Sequence, residues 1–184
     1  LKNAKVFIDT DSSEIINNAN LYKNFTFYRR DPQYIKLEES KKYKISPVYL
    51  LIQNFLNKYC NDNDIIVTTH VTSPFIKKNT IYKAIKFLEK GYESVSAVTY
   101  HREFGLLKKN KKYTNINFDF NIVNKTQDLD PIVLLNGAFF IFRKKTFIKY
   151  NSRFSKNHYF YEIKYPESID INYPEDVALA KNYA

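Results

Sequence analysis

The sequence predicts an α/β fold: a three-layer α/β/α sandwich around a mostly parallel, mixed sheet, with one small projecting arm. Three observations predict it. Short β-branched or aromatic runs alternate along the chain with amphipathic helical stretches, the pattern of strands joined by helical crossovers. No internal repeat interrupts the alternation, and no low-complexity linker divides it. The chain has 184 residues, enough for one domain that buries about 70% of the surface its unfolded form exposes. A single domain over residues 1–184 is therefore expected.

The elements follow in order. Residues 5–9 read as a short buried strand, and Asp11 or Ser12 caps a helix reaching about residue 20. Residues 25–29 alternate aromatic and polar positions as a second strand, and the polar stretch 31–43 reads as irregular. Ser46-Pro47 starts a helix, a capping Ser before a Pro in the first turn; Val48, Leu51, Ile52, Phe55, Leu56 and Tyr59 then share one face. A β-branched strand over 64–69 runs into His70-Val71-Thr72-Ser73-Pro74. Ile81, Ala84, Ile85 and Leu88 stripe the next helix, which Gly91 stops. Strand 94–100 precedes a Lys/Asn-rich segment, 103–124, whose Phe104, Tyr113, Ile116, Phe118 and Phe120 mark it as a projecting arm. The apolar run 134–143 reads as a central strand, 158–163 as another, and 176–183 as the closing helix. The strands beginning near residues 5, 64, 94 and 134 are expected in one sheet.

Composition narrows the function classes. Hydrophobic residues make up 44% and charged residues 26%, ordinary for a soluble globular protein. No run reaches the roughly 18 apolar residues a membrane helix needs, and Lys2, Lys5, Asp9 and Asp11 break the one early apolar run, so no signal peptide is expected. The single Cys60 excludes an internal disulfide and a multi-cysteine metal site, and reads as a small core or half-buried residue in a reducing, cytoplasmic setting. The net charge is +10, from 29 basic and 19 acidic residues. A nucleic-acid patch is one reading of that charge. The lysines come in ones and twos and arginine is scarce, which favours a diffuse positive field suited to anionic small molecules, with neither nucleic acid nor membrane as partner. The chain opens on Leu1 and contains no Met, so a longer parent chain is expected. Its three glycines, Gly91, Gly105 and Gly137, stand alone, so these residues form no Gly-rich phosphate loop.

Ligands of open α/β sheets bind at the carboxyl ends of strands, which directs attention to four segments. Asp9-Thr10-Asp11-Ser12-Ser13-Glu14-Ile15 follows the first strand; taken alone it is a turn and a helix cap. Thr72-Ser73-Pro74-Phe75 follows the third, and alone it is a capping turn. Asn136-Gly137-Ala138 sits inside a strand pattern, where Gly137 implies a bulge or a ligand lying close to the backbone. Ser168-Ile169-Asp170-Ile171-Asn172 precedes a helix start; Asp170 and Asn172, two apart, point to one side and offer two oxygens to one hard cation.

Together, in this order and spacing, these segments resemble the acylneuraminate cytidylyltransferases, the family that makes CMP-sialic acid and its relatives. The family's Ser-Thr-Asp-Ser-x-Glu-Ile is matched by residues 9–15, and its Arg-Pro by the looser Arg29-Arg30-Asp31-Pro32. Its Leu-Leu-Gln-Pro-Thr-Ser-Pro-Leu-Arg is matched by residues 68–76, and its Ser-Val-x-Ser-Val-Thr by residues 94–99. Gln127-Asp128-Leu129-Asp130-Pro131 echoes Gln-Asp-Leu-Pro, and residues 136–141 match Asn-Gly-Ala-Ile-Tyr-Ile. Residues 168–172 and Glu175-Asp176-Val177 match the closing Ser-Ile-Asp-Ile-Asp and Glu-Asp-Leu. The resemblance runs from Val6 to Ala180.

The resemblance implies transfer of CMP from CTP to a nonulosonic or related 3-deoxy sugar acid, with release of pyrophosphate. It implies Asp170 as the catalytic carboxylate and, with Asn172, the Mg²⁺ ligand. Asp11, Arg29, His70, Thr72, Ser73, Gln127 and Asn136 become substrate-binding residues, and the arm the basis of a homodimer. Four departures stand out. His70 replaces a Gln that faces the sugar, and no Arg follows Thr72-Ser73-Pro74, although Lys77 and Lys78 do. Asn172 replaces a metal-side Asp. Nothing matches the family's Pro-Ala-Arg-x-Gly-Ser-Lys triphosphate loop, so a strand, that loop and a helix are expected before Leu1, and residues 1–184 alone are expected not to make CMP-sugar. Two rival readings remain: a degenerate homologue that binds nucleotide or sugar without turnover, and a basic interaction or nucleic-acid-binding domain.

Overall fold

The computed structural model of the chain describes residues 4–18, 24–122 and 124–183. The first elements are β1 (Val6–Thr10), α1 (Ser13–Asn17), β2 (Phe25–Arg29), α2 (Pro32–Ser40), α3 (Pro47–Tyr59), β3 (Ile65–Thr69) and α4 (Lys78–Glu89). They are followed by β4 (Ser94–His101), β5 (Leu106–Lys109), β6 (Lys112–Asn115), β7 (Ile132–Arg143), α5 (Lys144–Tyr150), β8 (His158–Glu162) and α6 (Pro174–Lys181). The class is the α/β class expected, with mixed strand directions. The chain divides into two compact units, Leu1–Asp64 with Arg143–Ser152, and Ile65–Phe142 with Arg153–Ala184.

In the first unit β1 and β2 pair in parallel, from Val6 opposite Phe25 to Thr10 opposite Arg29. The expectation that the strand near residue 5 shares a sheet with the strands near 64, 94 and 134 is corrected here. β1 takes β2 as its partner and the two form a sheet of their own, while β3, β7, β4 and β8 form another. The predicted face of α3 packs through Phe55 and Tyr59 against Phe7 and Tyr28, with ring centroids 4.9 to 5.8 Å apart. Leu51, Leu56 and Phe147 complete this core.

Several local readings change. The stretch read as irregular contains α2, because Asp31 caps it by accepting from the Gln33 N–H and Pro32 sits in its first turn. Ser46 precedes α3 without a side-chain cap bond, so Pro47 alone marks that start. Ser12, not Asp11, caps α1, which ends at Asn17; residues 19 and 20 of the expected helix lie outside the described residues. The helix α5 has no counterpart among the expected elements, since its short run directly follows the apolar β7 and merges with it in the hydrophobic pattern.

The second unit is built on the sheet β3-β7-β4-β8, with β4 antiparallel to β7 and parallel to β8. Ile81, Ala84 and Leu88 of α4 bury one face of it against Val95, Ala97, Phe139, Ile141 and Ile163. Gly91 takes φ +96° just past α4, the left-handed stop its position implied. The arm is a hairpin of β5 and β6, paired from Leu106–Asn115 to Lys109–Lys112. Asn110 and Lys111 turn it with φ of 48° and 65°, as a two-residue hairpin loop requires.

Candidate functional site

The strand pairing breaks where the sequence placed Gly137. Leu135 lies opposite Val98 and Phe140 opposite Ser96, so residues 136–139 stand against Ala97 alone. Gly137 has φ +80°, a conformation costly for any residue with a Cβ, and this lets β7 bulge. The bulge turns Asn136 toward the loop before α6. Its Nδ2 donates to the Ser168 carbonyl at 2.8 Å, and its Oδ1 accepts from the Ala138 N–H at 3.3 Å. Both ends of this amide are thus engaged by protein, which makes Asn136 a residue that positions the 168–172 segment.

The same segment is held from a second side. The Ile171 N–H donates to the Thr72 carbonyl at 2.8 Å, tying it to the turn after β3. That turn closes on itself through the Ser73 N–H and the His70 carbonyl at 3.1 Å. Thr72, Asn136, Asp170 and Asn172 therefore come from three distant stretches and meet at one place. Asp176, from the Glu-Asp motif, acts structurally. Its Oδ2 accepts from the Asn172 N–H at 2.9 Å and the Tyr173 N–H at 2.8 Å, starting α6. The Ser73 hydroxyl is cut off from solvent and has no hydrogen-bond partner among the described residues, which marks this turn as a place short of an acceptor or donor.

Asp170 and Asn172 lie on one side, as their spacing predicted, and the Asn172 Nδ2 donates to Asp170 Oδ2 at 2.9 Å. Among the described residues no group of three His, Cys, Asp or Glu side chains is placed to hold a metal. One carboxylate and one amide suit Mg²⁺ that arrives with a triphosphate, since Mg²⁺ is commonly held by one or two carboxylates plus phosphate oxygens and water. For Asn172 to share such an ion its amide must turn so that Oδ1 faces Asp170.

Charge organises the remainder. His70 keeps an exposed edge. Partial burial lowers its pKa, Arg153 lowers it further, and Asp170 acts in the opposite direction. The imidazole therefore takes up a proton less readily than a free histidine. Arg153, which the sequence does not announce, acts on His70 from an irregular loop that matches no motif.

Three expected site residues are not joined to this cluster by any described contact. Asp11 is exposed beside the α1 cap in the first unit. Arg29 is exposed there too, and its neighbour Arg30 makes the ion pair of that motif, at 3.3 Å to Asp9. Gln127 sits exposed in a 3-10 turn, Thr126–Asp128, on the return from the arm.

No family model matches the chain. The chain is similar to an N-acylneuraminate cytidylyltransferase of Streptococcus agalactiae serotype III, with 26% identity over 175 residues. A second, from serotype V, matches at the same identity and extent. The match covers 93% of this chain, which spans 40% of the length of these curated relatives. Among solved structures, a 4-diphosphocytidyl-2C-methyl-D-erythritol synthase aligns with a TM-score of 0.65 at 5% identity, covering 97% of this chain and 81% of that one. The corresponding synthase of Anaerococcus prevotii aligns with a TM-score of 0.64 at 15% identity, covering 97% and 78%. At such identities the structures show the fold alone, an α/β fold of the class expected from the sequence.

Proposed function

We propose that this relative of the N-acylneuraminate cytidylyltransferases serves transfer of CMP from CTP to a nonulosonic or related 3-deoxy sugar acid. The anomeric hydroxyl attacks the α-phosphorus, its proton passes to solvent, and pyrophosphate leaves. One observation carries the reading: the three motif segments around Thr72, Asn136 and Asp170 are bonded into one site. Such chemistry asks the protein mainly for positioning and charge stabilisation. Asp170 and Asn172 would hold Mg²⁺, which when bound neutralises phosphate charge. Thr72 and Ser73 line the turn that faces them, and Asn136 sets the 168–172 segment.

Residues 1–184 hold only isolated glycines, so by themselves we read them as short of a turnover-competent triphosphate cradle. We also read the arm as a homodimer contact, because Ile116, Phe120 and Ile122 expose 53%, 62% and 58% of their surface. A second reading is favoured by one observation. Asn172 brings no second negative charge, and its amide occupies one Asp170 oxygen by donating to it, as in a homologue that binds without turnover.

The test pairs binding with turnover. CTP with Mg²⁺ should raise the melting temperature of the full natural chain, and pyrophosphate should be released with sialic-type acids but not with an alditol phosphate. Stabilisation without release would favour the second reading, and release with the alditol phosphate alone would overturn the acceptor assignment.

A further inference from the structure

We propose that Glu167 is a positioning residue for Asp170: its carboxylate fastens the acidic segment to the start of α4, so that this segment and the turn after β3 are held as one body. The inference rests on the cytidylyl-transfer reading above. It adds to that site a residue standing just outside the matched stretch 168–172.

The start of α4 lacks a cap of its own. Lys77 occupies the cap position without a side-chain cap bond, and no acidic residue lies in the first turn. In a capping box the N–H of the capping residue is met by a Glu or Gln three positions on, and the helix dipole favours a negative charge there. Here that position holds Thr80, and the acceptor comes from 90 residues away: Glu167 Oε2 accepts from the Lys77 N–H at 3.1 Å. One carboxylate supplies both the bond and the charge that this helix start lacks.

What flanks this contact gives it its consequence. The Thr72 carbonyl, early in the turn after β3, is held by the Ile171 N–H at 2.8 Å; Lys77, at the turn's far end, is held by Glu167. Asp170 lies between the two holds, three residues after Glu167 and one before Ile171. The chain from Glu167 to Asp170 is closed on itself. The Ser168 N–H donates to the Lys164 carbonyl at 3.3 Å and the Ile169 N–H to the Pro166 carbonyl at 3.1 Å, with the Ile169 side chain buried. A shift at Glu167 is therefore passed on to Asp170. Asn136 ties the segment to β7, whereas Glu167 and Ile171 tie it to the turn that carries Thr72 and Ser73. One bond to that turn leaves the segment a pivot. The second bond removes the pivot, and its acceptor is a carboxylate, which makes it the stronger kind of hydrogen bond.

The experiment uses the full natural chain as wild type, Glu167→Gln and Glu167→Ala. Amide hydrogen exchange is followed at Lys77 and Ile171, and CTP is titrated calorimetrically with and without Mg²⁺. In Glu167→Ala both amides should exchange roughly 10–100-fold faster, the range for losing a hydrogen bond to a charged group. CTP affinity should fall in the presence of Mg²⁺ and stay unchanged in its absence. Glu167→Gln keeps an acceptor oxygen in place and should recover most of both effects. An unprotected Lys77 amide in wild type overturns the proposal and needs no variant to fold. Unchanged Ile171 exchange in Glu167→Ala overturns it, and so does an equal loss of CTP affinity with and without Mg²⁺, the mark of a merely structural role. Glu167-dependent exchange and CTP binding without pyrophosphate release by wild type leave this proposal standing and overturn the transfer reading; release and CTP binding that Glu167→Ala does not alter do the reverse.

Discussion

The Ile171 N–H donates to the Thr72 carbonyl at 2.8 Å, joining a turn from the first half of the chain to the acidic segment near its end. Asn136 grips the same segment one residue before Ile169, through Ser168. The site is therefore a clamp in which one backbone bond and one amide bond hold the segment that carries Asp170.

Asn136→Ala removes the donor to Ser168 and the acceptor for Ala138 together. The variant should lose about 1–3 kcal/mol of stability, the range for leaving partly buried polar groups unpaired. A urea melt should show this as a lower midpoint. An unchanged midpoint would mean that the Asn136–Ser168 bond contributes nothing to holding the segment.

Gly137→Ala isolates the backbone contribution. A Cβ there meets nothing within 4 Å, but φ is +80°. The cost should be about 1–2 kcal/mol from the left-handed conformation alone, without a packing defect. Wild-type stability in that variant would show that β7 does not need the bulge.

His158 gives a pH dependence. Ser94 Oγ lies 2.7 Å from its Nδ1 and Ser96 Oγ 2.8 Å from its Nε2, and burial pushes its pKa down to about 4. The folded state thus binds this proton less readily than the unfolded chain, where histidine titrates near ~6.5. The stability it contributes is fully present above that unfolded value and is lost as pH falls through the folded one. An NMR titration should show His158 neutral at pH 5.5. Titration near the ordinary histidine value would remove this source of acid sensitivity.

The arm is open to test by light scattering. If Ile116 and Phe120 lie in a homodimer contact, replacing both by Asp should convert a dimer to a monomer at micromolar concentration. A wild-type monomer would discard the dimer, and an unchanged dimer in the variant would move the contact elsewhere.

Much of this is legible in the residues. The helical stripe from Val48 to Tyr59, the stop at Gly91 and the bulge at Gly137 each follow from a local rule that tertiary structure does not override. Asp31-Pro32 is equally legible as a cap and first-turn proline, but the polar composition of the stretch hides it. What stays dark in the sequence is non-local. The motif around Asn136 implies a side chain facing a ligand; only the fold shows its amide occupied by Ser168 and Ala138. Arg153 carries no pattern at all, since its place over Phe140 arises from two segments brought together by the sheet. The partner of β1 is hidden for the same reason, because periodicity identifies strands and says nothing about which strand lies beside which.

Asp170 carries the central claim. In the full natural chain, with CTP, Mg²⁺ and a sialic-type acid, pyrophosphate release should fall about 10²–10³-fold on Asp170→Asn, the loss expected when one preorganised charge-stabilising group is removed. The isosteric amide should leave the fold and its melting temperature essentially as they were. Release by Asp170→Asn within about twofold of wild type, measured in the same assay, would contradict the assignment of this site to nucleotidyl transfer.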